Sequence, residues 1–84
     1  MSDAARVLAF VERRVSPLER AAYLASVDAR RRIASAARGH FWVFEHEDEP
    51  GRFVEFTEAA DATDVATVHD GVLPAPLWRE VRGA

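Results

Sequence analysis

The sequence predicts an α+β fold of six elements in the order strand, helix, strand, strand, helix, strand. Three observations carry that reading. An alanine- and arginine-rich segment has both a start and a stop signal, two aromatic runs flank a short acidic loop, and prolines break the chain before a last apolar run. The 84 residues, 1–84, are taken as one unit, because a chain of this length has room for a single core.

Residues 6–15, RVLAFVERRV, are β-branched and aromatic, with alternation in their second half, and read as the first strand. In the SPLE that follows, Ser16 is a good N-cap, Pro17 is tolerated at the first helical position, and Glu19 is spaced to close a capping box. A long helix is expected from there to Arg38, with Gly39 placed to stop it. Within it Leu18, Ala21, Ala22, Ala25, Ala29, Ile33 and Ala36 recur at helical spacing and form the expected packing stripe.

The stretch GHFWVFEHEDEPGRFVEF, residues 39–56, reads as a hairpin with strands near 40–46 and 52–58. An ion pair between Glu45 and Arg52 at the loop end sets a register. That register puts Phe41, Val43, Val54 and Phe56 on one face, and His40, Trp42, Phe44, Phe53, Glu55 and Thr57 on the other. It leaves open which face the helices cover. Asp61 can cap a short helix through His69, with Val65 and Val68 inward and Gly71 ending it. After LPAP, the segment 77–81 is the last strand, held at an edge by the prolines before it. This order is that of a ferredoxin-like βαββαβ unit, a four-stranded antiparallel sheet with two helices on one face.

Composition narrows the functions open to such a unit. There is no cysteine, which excludes disulfides, thiolate metal sites and a thiol nucleophile. The net charge of −3 and the acids along the sheet argue against a nucleic-acid partner. No apolar run approaches membrane-spanning length and MSDAARVL lacks a leader's apolar core, so a cytoplasmic protein without a membrane partner is expected. The acidic run Glu47, Asp48, Glu49 with His46 is contiguous and reads as a solvated turn, so no metal site is expected. A chain of this size buries only about 60% of its unfolded surface, and the sheet carries apolar groups on both faces. A second copy covering the open face is therefore the expected partner, giving a homodimer.

The same residue types offer candidates for chemistry. Trp42 can stack an aromatic ligand or fill an interface, with Phe44 and Phe53 as further walls. His40 and His69 titrate near neutrality and can act as bases, or can simply cap carbonyls. Glu55 is either raised in pKa inside a pocket or paired with Arg13 or Arg14.

RVLAFVERRVSPLERAAYLASV followed by GHFWVFEHEDEPGRFVEFTEAADATDVATVHD resembles the dimeric α+β barrel superfamily, and within it the small antibiotic-biosynthesis-monooxygenase-like proteins. The matching features are Gly39, the aromatic strand from Phe41 to Phe44, the acidic loop closed by Pro50, the strand from Phe53 to Glu58, and His69. The resemblance implies a cofactor-independent oxygenase acting on a small aromatic or quinol-like substrate, with no cofactor. His69 or His40 would be the base, Glu55 would orient it, and Trp42, Phe44 and Phe53 would line the pocket. Haem-degrading relatives use an asparagine, and this chain has none; the tryptophan that often follows the strand glutamate is replaced by Ala59 and Ala60. The alternative is a non-catalytic ligand-binding or interaction dimer.

Overall fold

The computed structural model describes residues 5–82; the ends of the 1–84 unit lie outside the described residues. Four strands, β1 (Val7–Arg14), β2 (His40–Glu45), β3 (Arg52–Ala59) and β4 (Leu77–Arg79), form one antiparallel sheet in the order β2-β3-β1-β4. Two helices, α1 (Arg20–Ala36) and α2 (Ala62–Val68), complete a βαββαβ sequence compatible with a ferredoxin-like fold. Among the described residues no helix is long and apolar enough to cross a membrane.

The helix start signals act as the sequence anticipates, with one change. A single 3-10 turn, Pro17–Glu19, precedes α1, and the Glu19 carboxylate accepts from the Ser16 N–H at 3.3 Å and from its hydroxyl at 3.0 Å. Asp61 caps α2 by accepting from the Asp64 N–H at 2.9 Å. Gly39 does not supply the turn that ends α1. Arg38 takes the left-handed conformation, φ 58°, and Gly39 is needed because a Cβ there would lie 2.5 Å from the Glu58 carbonyl oxygen.

The inward face of α1 is also not the predicted stripe. Val27 and Ala34 are its buried positions, with Tyr23, Ser26 and Arg30 half-buried beside them, whereas Leu18 is 98% exposed and Ile33 is exposed. The reason lies under the helix. A buried carboxylate on β3 draws Tyr23 and Arg30 inward, and the helix phase follows those polar contacts rather than the alanines.

The hairpin register is offset by one residue from that expected. Glu45 lies opposite Phe53, not Arg52, because each charged group has a stronger partner elsewhere. Glu45 takes both terminal nitrogens of Arg20, at 2.6 and 2.8 Å, and the Gly51 N–H at 2.8 Å. Together these hold its carboxyl down at about 2, the Arg20 bonds being the larger cause. Arg52 binds Glu12 at 2.6 Å and Glu49 at 2.8 Å.

A one-residue shift moves every β3 side chain to the opposite face. Phe41 and Val43 therefore share the helix side with Phe53, Glu55 and Thr57. His40, Trp42 and Phe44 share the open side with Val54, Phe56 and Glu58. The helix side holds two small apolar clusters. One joins Val27, Ala34, Phe41 and Val68, and the other Ala9, Ala59 and Val65. Glu55, Thr57 and His69 are the buried polar groups of this layer.

Candidate functional site

Glu55 is fully buried near the middle of β3. Removing a carboxylate from water costs several kcal/mol unless it is paired, so its surroundings are dictated by its charge. Four bonds meet it. Oε2 accepts from Arg13 Nε at 2.9 Å, the Tyr23 hydroxyl at 2.6 Å and an Arg30 terminal nitrogen at 3.1 Å, while Oε1 accepts from the other Arg30 nitrogen at 3.1 Å. Burial alone would raise its pKa, but the hydrogen bonds and charges of Arg30, Tyr23 and Arg13 outweigh it and hold Glu55 ionised. Tyr23, half-buried and tied to that carboxylate, is pushed the other way and stays a neutral donor. Of the two arginines considered for Glu55, Arg13 is a partner. Arg14 points to the open side and reaches Glu49 at 3.5 Å.

His69 closes α2 on the same side of the sheet. Its Nε2 lies 2.7 Å from Thr57 Oγ1, and its ring meets Phe41 edge-on with centroids 6.0 Å apart. Nδ1 is buried and has no hydrogen-bond partner among the described residues. Burial is the main reason its pKa falls below the ordinary 6.5, and the positive charges of Arg30 and Arg13 push the same way. The ring is therefore neutral at physiological pH.

Two cavities of about 400 Å³ each meet at this ring. One runs between α1 and the sheet, lined by Tyr23, Ser26, Arg30 and Ile33. The other lies beside β1, lined by Val11, Val72 and Pro74. His69 and Arg13 belong to both. A neutral imidazole, two guanidiniums and a phenol thus line one cavity, with the ion-paired carboxylate of Glu55 buried behind them. This set can bind a polar head and can accept a proton.

No family model, no curated protein and no solved structure matches the chain. What the site can do rests on its own geometry.

That geometry divides the residues singled out from the sequence. His69, Glu55 and Phe53 lie on the helix side, although Glu55 bonds arginines and Tyr23 while Thr57 holds His69. Phe53 packs against Tyr23 with ring centroids 4.7 Å apart as a buried core residue and lines neither cavity. His40, Trp42 and Phe44 are on the open side, so Glu55 does not stand beside Trp42. His40 stacks on Trp42 at 4.9 Å, and its Nδ1 lies 2.7 Å from Glu58 Oε1, whose carboxylate is also bonded by Arg6. Sequence reasoning missed Tyr23, Arg30, Thr57 and Glu58. The available signal was the chain's one tyrosine, Tyr23, with Ser26 three residues on and Arg30 four beyond it, on an otherwise alanine-rich helix.

Proposed function

We propose that this protein is a homodimer of the α+β barrel kind that binds a small aromatic or quinol-like molecule in the helix-side cleft, with His69 as the proton acceptor in a cofactor-independent oxygenation. One observation carries the reading: a neutral, buried imidazole with one nitrogen fixed by Thr57 and the other unpartnered, at the junction of two cavities. Fixing one ring nitrogen sets what the other can do. In the tautomer that donates Nε2–H to Thr57, Nδ1 carries the free lone pair that a base needs.

In this reaction His69 takes a proton from an activated CH₂ group of the substrate, and dioxygen adds to the resulting carbanion. Loss of water then leaves a carbonyl, so that CH₂ and O₂ become C=O and H₂O. The substrate supplies the electrons.

Oxygen uptake measured with a panel of hydroquinones and anthrones tests the proposal. Turnover that is lost in His69→Gln and kept in His40→Gln supports it, because only His69 lies in the cleft. A second reading, a binding dimer without turnover, is favoured by the burial of Nδ1, which a substrate reaches only if the cleft adjusts. Saturable binding with no uptake by any substrate in the panel would establish that reading instead.

A further inference from the structure

The two arginines of the cleft are not used alike. Arg30 is fully engaged, with both terminal nitrogens on Glu55, one of them also 3.3 Å from Ser26 Oγ, and its guanidinium 4.7 Å from the centre of the Phe41 ring. Arg13 gives Glu55 only its Nε, and its terminal nitrogens have no partner among the described residues. Glu55 takes only the Nε, with Oε2 already accepting three bonds and Oε1 turned to Arg30. The Arg13 side chain is 43% exposed and stands on the wall common to both cavities.

The other acids nearby leave this guanidinium unmatched. Asp70 lies at the exposed rim of the first cavity and forms no ion pair with Arg13, and Glu12 is held by Arg52 at 2.6 Å. The free edge of a guanidinium presents two parallel N–H groups, which match the two oxygens of a carboxylate. Beside it Val11, Val72 and Pro74 supply an apolar wall, and the buried His69 ring stands between the two cavities.

We propose that the ligand of this cleft carries a carboxylate, docked end-on to the terminal nitrogens of Arg13 with its apolar body against Val11, Val72 and Pro74. The inference rests on the helix-side cleft being the ligand site and narrows the ligand class to small aromatic or alicyclic acids. The carboxylate anchors and the rest of the molecule is presented to His69. Arg13 is thereby a specificity-determining residue.

Titration of the isotope-labelled protein with benzoate and with its neutral isostere benzamide, followed by NMR, tests this directly. Benzoate is expected to shift the His69 ring and Arg13 resonances saturably, and benzamide to bind weaker by about tenfold or more, as loss of a charge-assisted bidentate contact requires. Arg13→Met should weaken benzoate by a similar factor, while Arg14→Met, on the opposite face, should leave it unchanged. Should Arg13→Met fail to fold, the benzoate-to-benzamide ratio in the unaltered protein still decides. Equal binding of the two probes, with His69 shifted by both, would overturn the carboxylate assignment and leave the cleft as the ligand site. No shift at His69 with either probe would overturn both.

Discussion

Glu55 illustrates how a single buried charge organises its neighbours. Its oxygens hold β1 through Arg13 and α1 through Tyr23 and Arg30, so removing it leaves two cations without their shared counter-charge. Glu55→Ala is expected to destabilise the fold by about 3–5 kcal/mol, read from urea unfolding, as breaking a buried pair from one side does. His69 adds a pH dependence of known sign. Its folded pKa is below 6.5, so the unfolded chain takes the proton first, and stability falls as pH drops through the ordinary histidine range. Glu55, lowered from 4.5, adds a further loss at more acid pH for the same reason. The urea midpoint should therefore decline between pH 7 and 5, and His69→Phe should flatten that part of the curve. Much of this was legible residue by residue, since a strand glutamate calls for an arginine and Arg13 was an evident choice. The partner of His69 was not, because Thr57 became its neighbour only once the true register was known.

Elements are placed by close approaches that composition does not advertise. Gly39 lets β2 leave α1 within contact of the β3 backbone, and Gly51, at φ 85°, would put a Cβ 2.4 Å from the Val15 carbonyl oxygen. Gly39→Ala should cost about 1–3 kcal/mol as an overpacked contact, measured as a lowered unfolding midpoint. On α1 the contrast between the predicted and observed faces is itself testable. Val27→Ala should cost about 1–2 kcal/mol from lost apolar burial, whereas Leu18→Ala should change stability by less than about 0.5 kcal/mol. The existence and caps of both helices were readable because Ser16, Glu19 and Asp61 act through local bonds. The phase of α1 was not, because its inward side includes Ser26 and Arg30, which a search for apolar periodicity discards. The strand register failed similarly: Glu45 and Arg52 are complementary, but each is bound more strongly by Arg20 or by Glu12 and Glu49.

At the scale of the whole molecule, two modest apolar clusters and a polar layer lie on one side of the sheet. On the other side Trp42, Phe44 and Trp78 are 48%, 57% and 59% exposed. Phe10 and Phe56 join them there, Phe56 meeting Phe10 and Phe44 edge-to-face at 5.0 and 6.0 Å. The charges on this face are already matched, Arg6 and His40 with Glu58 and Arg52 with Glu12, so covering it strands few unpaired ions. A second copy is the occupant we expect. Light scattering behind size exclusion should give the dimer mass at micromolar concentration, and Phe44→Asp should give the monomer mass with the helix-side cleft intact. A monomeric unaltered protein would remove the barrel from the reading and leave the cleft to be tested alone.

The two tryptophans share the open face, with Trp78 and His40 in one cross-strand row and Trp42 next to it, while among the described residues no tryptophan lines the two cavities of the cleft. A second copy on the open face would therefore be reported by indole emission, which does not look into the helix-side cleft. On dilution, indole emission should shift to longer wavelength as pairs separate, and it should stay still when the cleft fills. An additive that quenches it without changing the mass has found the other side of the sheet.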